Sequence, residues 1–240
     1  MKWLTNYYLA EGPGIPKNEP RKTGLALVAA TVWREGIDLM KLNMLFVLFA
    51  LPIITLPAAM AALLRVTLVM AEDRNVYLVR DFTTAFRRHF VQASLAGLLV
   101  ALLTIIPTVA AIAYGRLATA DILYAPVFVL AMCVAALMMI AGAYLFALLV
   151  SFEAPVAKLV LPALRAAVMW PLPVLAALGF NLLLWLAHIV FYPVSVFMPA
   201  VINFSFGALA IAFGVLETVK RSGGSREDQT GGAQEAMPVV

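Results

Sequence analysis

Side chains able to do chemistry are scarce in this chain and scattered. The two histidines, His89 and His188, fall in different segments, the lone cysteine, Cys133, sits in an apolar run, and no acidic cluster accompanies any of them. A metal site or an activated nucleophile needs several such groups close together, and hydrolysis or group transfer needs at least two ionisable partners. There is no phosphate-cradling Gly loop either. The sequence therefore reads as a protein that is not an enzyme and has no metal or cofactor. Cys133 reads as a small buried hydrophobe, and alone it can form no intrachain disulfide.

Three groups of residues remain as candidates. Ionisable residues within membrane segments are the default functional suspects, and Arg65 is the first. It lies six residues before Ala71, about 9 Å along a helix, so it either serves a site or snorkels to the nearer interface. Asn181 and His188, seven residues apart on one helix face, form the second group with Asn203. They are suited to a ligand hydroxyl or to interhelical hydrogen bonds. The third is the turn LPIITLP, in which Pro52 and Pro57 free backbone carbonyls that need partners. Such breaks build transporter sites when deep in the bilayer and are plain turns when near a surface.

The elements that position these residues follow from composition. Of 240 residues, 64% are hydrophobic and 12% charged, with a mean hydropathy of +0.97. A soluble domain needs far more polar surface, so part of this surface must meet lipid. Since about 20 apolar residues in helix cross the bilayer core, the runs 91–114, 124–150, 169–190 and 195–216 read as four transmembrane helices. Prolines near their ends (Pro107, Pro126, Pro171, Pro173, Pro193, Pro199) predict caps or kinks. The opening MKWLTNYYLAEGPGIPKNEPRK has no apolar core and does not read as a cleavable signal peptide.

Residues 37–71 are too long for one untilted crossing and hold Pro52 and Pro57 at their middle. Charge placement decides how to read them. A single crossing would put the Lys and Arg before residue 37 opposite Arg74, Arg80, Arg87 and Arg88, against the rule that positive charge stays inside. A hairpin turning at the prolines leaves every Lys and Arg except Arg116 on one side or at its edge. The expectation is an all-α, polytopic transmembrane bundle: a Pro-broken hairpin plus four further helices, multi-pass in the cytoplasmic (inner) membrane, both termini cytoplasmic. Each hairpin arm of about 15 residues covers only about 22 Å of a core of about 30 Å. The hairpin is thus re-entrant, or it spans if its first helix starts back near Trp33. The net charge of +4 is explained by this topology, and no nucleic-acid partner is expected.

Residues 1–36 form a cytoplasmic or interfacial segment in this reading, and 72–90 form a cytoplasmic amphipathic segment. There Phe82, Phe86 and Phe90 recur every four residues beside Arg87, Arg88 and His89, with Asp81 as N-cap. That pattern fits a helix lying on the inner surface, aromatic face in the acyl boundary. A single membrane domain then runs over 1–220, with 91–216 as its four helices. The Gly-rich, polar stretch 221–240 reads as a disordered cytoplasmic tail.

The run EGPGIPKNEP (11–20), Trp33, MKLNMLFVLFALPIITLP (40–57) and RDFTTAFRRHF (80–90) together resemble the YesL-like family of uncharacterised bacterial membrane proteins. The resemblance covers about the first ninety residues and rests on hydropathy and length beyond them. It implies a bacterial membrane protein whose relatives are commonly encoded beside sugar-uptake ABC transporters and glycan-degrading enzymes. Its motif positions here are Gly12, Pro13, Gly14, Pro16, Pro20, Lys41, Asn43, Pro52, Pro57, Asp81, Phe82, Phe86 and Phe90.

Two functions are carried forward. One is a non-enzymatic accessory component of carbohydrate (ABC-type) uptake, packed against a permease subunit or self-associated in the bilayer. The other is a small transporter or channel that uses the broken hairpin, with Asn43, Arg65 and His188 as its test residues. A permease in its own right is the weaker reading, because Glu153-Ala154-Pro155 resembles a coupling motif only loosely.

Overall fold

Leu, Ala, Met and Val dominate the apolar runs, with Pro mostly near their ends, so every long run closes its backbone hydrogen bonds as helix, as the bilayer demands. A computed structural model describes residues 25–152, 154–216 and 218–219, and among them there is no strand. The segment before residue 25 with Gly12, Pro13, Gly14, Pro16 and Pro20, the tail 221–240, and Glu153 lie outside the described residues.

Helix α1 is Leu25–Ala50, and a 3-10 turn at Ile53–Thr55 leads into α2, Leu56–Ala71. Then come α3, Leu78–Ala118, α4, Ala125–Ser151, α5, Val156–Met169, and α6, Pro171–Val190. Helix α7, Pro199–Leu216, opens with a π-helical turn at Pro199–Asn203. Among the described residues, five helices are long and apolar enough to cross a membrane: Ile53–Ala71, Leu78–Ala118, Ile122–Ser151, Pro171–Val190 and Pro199–Leu216.

The chain doubles back around Pro52 and Pro57, and Arg34 of α1 pairs with Asp73 just beyond α2. That pairing sets the polar part of α1 level with the end of α2. Helix α1 begins well before residue 37 and includes Trp33, but Arg34, Glu35, Asp38 and Lys41 occupy its middle. The charge-free stretches on either side, 25–33 and 42–50, each give about 14 Å of helix against a core of about 30 Å. Length alone would let α1 cross, and its charges hold its first half at the interface.

Helix α2 is the centre of the bundle. Ala58, Ala59, Ala61 and Ala62 are all buried, and such small side chains let neighbouring backbones approach where no hydrophobic force drives helices together. One such approach is at Gly97 of α3, where an added Cβ would stand 2.5 Å from Pro57 Cβ. Gly142 of α4 meets Val100 of α3 in the same way, at 2.7 Å. Pro126, Pro171 and Pro199 each sit in the first turn of a helix, where a missing N–H costs nothing. Pro107 lies inside α3.

Two expectations are corrected here. Residues 78–90 are the first turns of the 41-residue α3, not a separate helix on the membrane surface. Their aromatic face meets protein: Phe82 is fully buried, and Phe49 of α1 packs edge-on against Phe82 at 5.3 Å and Phe86 at 5.0 Å. Phe90 continues the stack from Phe86 at 5.5 Å. Cys133 is exposed on α4 rather than buried.

Candidate functional site

At the end of the bundle where α2 finishes, α3 begins and α4 finishes, a cavity of about 400 Å³ opens. Arg65, Arg74, Arg80, Arg88 and His89 line it, and Asp81 is the only carboxylate among its described lining residues. The loop after α2 makes this possible. Asp73 takes a left-handed φ of 61°, unusual for a residue with a side chain but best tolerated by Asp and Asn, and the chain turns there to bring Arg74 and Arg80 round to face α4.

Each cation is held differently. Arg74 Nη1 pairs with Glu72 at 3.2 Å. Arg80 Nε pairs with Asp81 at 3.2 Å, and its guanidinium lies 4.3 Å from the Tyr77 ring centroid. Asp81 is not the N-cap of α3. That position falls to Tyr77, because the helix starts earlier, and Asp81 reaches back so that its Oδ2 accepts from the Tyr77 N–H at 2.9 Å. Arg65 is half-buried between the buried Leu64 and Val66, and it makes no ion pair among the described residues. Arg87 is exposed and off the cavity wall, whereas Arg88 is on it. Next to this end, Arg34 donates to Glu35 and Asp73; those hydrogen bonds, Glu35's first, raise its pKa further despite some desolvation.

A second, apolar cavity of about 630 Å³ lies among α2, α3, α4, α6 and α7. Pro57, Gly97 and Phe146 form part of its wall, together with Asn203 and Thr104. Asn203 is 1% exposed, and among the described residues neither its Oδ1 nor its Nδ2 has a partner; Thr104 Oγ1 is also buried without one there. Such orphaned groups are rare, and each costs about 1–3 kcal/mol.

The other polar candidates hold the helices together. Asn43 is fully buried; its Nδ2 donates to the Pro199 carbonyl at 2.9 Å, and its Oδ1 accepts from the Ser205 N–H at 2.9 Å. A π-turn leaves backbone groups of this kind without their usual helical partners, so Asn43 fastens α1 to the irregular start of α7. Asn181 Nδ2 donates to Ala177 O at 2.9 Å in its own helix and to Gly207 O of α7 at 3.1 Å. His188 Nδ1 lies 2.9 Å from Ser195 O, and Ser195 Oγ donates to His188 O at 2.6 Å. The helix face shared by Asn181 and His188 is therefore used twice, at different partners, and the two do not converge on one pocket. At the proline turn, Thr55 Oγ1 donates to the carbonyls of Phe49 and Pro52, both at 2.6 Å. Those two carbonyls are satisfied locally. Lys41 pairs with Asp38 at 2.9 Å on the surface of α1.

Residues 39–110 match the model of a family described as "Protein of unknown function, DUF624". The matched stretch runs from the second half of α1 through α2 and most of α3. It therefore contains Asn43, the Pro57–Gly97 contact, and every cavity-lining residue named at the basic end. Helices α4 to α7 lie beyond it. No curated protein and no solved structure matches the chain.

Sequence reasoning missed Thr55, Thr104 and Ser205, whose roles depend on backbone irregularities that composition does not show. Arg74 and Arg80 were visible only as charges that orient the chain.

Proposed function

We propose that the protein is a non-enzymatic accessory component of carbohydrate (ABC-type) uptake, which docks a permease subunit through the outer faces of its helices. It sits in the cytoplasmic membrane with both ends of the chain and the basic end of the bundle facing the cytoplasm. The observation that carries the docking is the bareness of α6. Of its 20 residues, only Val174 and Ala177 are buried, and Gly179 has nothing within 4 Å of where a side chain would stand. An apolar helix so little covered meets lipid or another helix, and an open glycine is where a partner backbone approaches closely. The carbohydrate assignment draws on the resemblance to YesL-like proteins. The orientation draws on positive charge: Arg74, Arg80, Arg87 and Arg88 gather at one end, and Arg116 alone stands at the far end of α3.

A photoreactive amino acid at the exposed Leu183 of α6 tests the docking, with the buried Leu145 of α4 as control. The expected result is a crosslink to a permease subunit from Leu183 alone, in cells grown on several sugars. Recovery of the uncrosslinked protein by itself under every sugar would remove the proposal.

The orphaned Asn203 favours a second reading, a small transporter or channel whose path includes the apolar cavity. Proteoliposomes separate the two. Flux that falls when Asn203 or Arg65 is replaced supports this reading; no flux above empty vesicles dismisses it.

A further inference from the structure

The apolar cavity among α2, α3, α4, α6 and α7 has a polar spot that the fold itself does not use. Asn203 lines it while almost wholly buried, and among the described residues neither atom of its carboxamide has a partner. Thr104 Oγ1 of α3 lines the same cavity in the same condition. Asn181, the other amide on the wall, is committed to Ala177 O and Gly207 O. Apart from these and the Trp185 indole the described wall is apolar, with no ionisable side chain. An amide left bare in such surroundings is costly. Asn43 fastens the backbone on both sides of Asn203, at the Pro199 carbonyl and the Ser205 N–H, so the chain is held in the turn that presents this amide to the cavity.

The wall also limits what the cavity accepts. Its volume of about 630 Å³ lies in the range of small-molecule sites, about 300–1,000 Å³, which are mostly apolar with a few placed polar groups. Met60, Ile105 and Met139 line it and are exposed on the outer faces of their helices, so it opens sideways into the acyl layer. A charged headgroup finds no counter-charge on the described wall. A plain acyl chain fills the volume but leaves the Asn203 amide unpaired. Oδ1 and Nδ2 together call for a group that both donates and accepts.

We propose that this cavity binds an uncharged, lipid-like amphiphile, a long apolar chain ending in a hydroxyl or carboxamide, with that polar end paired to Asn203. Binding asks for no passage across the membrane and no docked permease. An absence of flux in proteoliposomes therefore removes the transporter reading and leaves the site standing.

The test uses full-length protein in phosphatidylcholine nanodiscs, with Trp3→Phe, Trp33→Phe and Trp170→Phe leaving Trp185 on the cavity wall as the sole reporter. The probe is a mid-chain dibrominated stearyl alcohol, whose bromines quench indole on contact, and the control is its methyl ether, which cannot donate. Saturable quenching is expected at a concentration about three- to tenfold lower for the alcohol, as for one or two hydrogen bonds in a dry site. Asn203→Leu should abolish that preference while the protein stays folded, because it removes the unpaired group. Moving the reporter to the other face of α6, by Leu183→Trp with Trp185→Phe, should show no preference. Should Asn203→Leu fail to fold, the comparison of the two reporter positions decides alone. Equal quenching by alcohol and ether at Trp185 overturns the site and leaves Asn203 to water. A preference that survives Asn203→Leu overturns it too, as does one of the same size at position 183, which marks only where the probes sit in the bilayer.

Discussion

Replacing Asn43 by Ala removes two hydrogen bonds at once, and the structure fixes what each loss leaves behind. The Pro199 carbonyl and the Ser205 N–H, both 2.9 Å from the amide, lose their side-chain partner at a point where Asn43 is fully buried and no water can substitute. An unsatisfied buried group costs about 1–3 kcal/mol, which for two groups sets an upper range of about 2–6 kcal/mol. Interhelical bonds inside membranes measure lower, about 0.6 kcal/mol on average and up to about 1.7 kcal/mol, giving about 1–3 kcal/mol for the pair. The two ranges overlap at about 2–3 kcal/mol, and that is the expected loss. Asn43→Asp should be worse than Ala, because it keeps the acceptor for Ser205 but sets a carboxylate against the Pro199 carbonyl in a dry interior. The assay is reversible unfolding in mixed micelles, read by helix content, for wild type, N43A and N43D. A loss below about 0.5 kcal/mol for N43A, or N43D as stable as N43A, would show that the start of α7 does not depend on this amide and refute the argument.

Three further outcomes are expected. Phe82→Ala should destabilise the bundle by about 3–5 kcal/mol, as for a buried aromatic, in the same unfolding assay; a change near zero would return Phe82 to a lipid-facing surface. Gly97→Ala should cost about 1–3 kcal/mol through overpacking, since the rigid Pro57 ring stands 2.5 Å from the new Cβ; neutrality would mean α2 and α3 separate freely. With Cys133 changed to Ser, a cysteine at the exposed Asn75 should stay unlabelled by an impermeant maleimide applied to intact cells and react once they are opened. Labelling from outside would invert the topology.

Much of the architecture was legible from residue order. Apolar runs of the length a bilayer requires located α3, α4, α6 and α7, and Pro52 with Pro57 located the reversal between α1 and α2. The polar side chains were harder to read. Asn181 and His188 share a helix face by spacing, yet one bonds Gly207 of α7 and the other Ser195 of the preceding turn, because their partners come from chain segments whose backbone geometry has no period. Asp81 was readable as a start signal for α3, but the helix begins at Leu78, and the carboxylate caps by reaching back.

The sequence by itself determined the solvent: with so few charges, and these gathered at the edges of apolar runs, the chain must be a set of helices in lipid with its cations near one end. Only the tertiary structure decided what each apolar face meets. Phe82, Phe86 and Phe90 form a stripe fit for lipid or for Phe49 alike, and Arg65 sits in a run equally suited to snorkelling or to a cavity wall. Lipid tails and buried side chains are about equally apolar, so hydrophobicity does not distinguish them inside a membrane. Close approach at small residues such as Gly97, and amide bonds such as those of Asn43, make that choice.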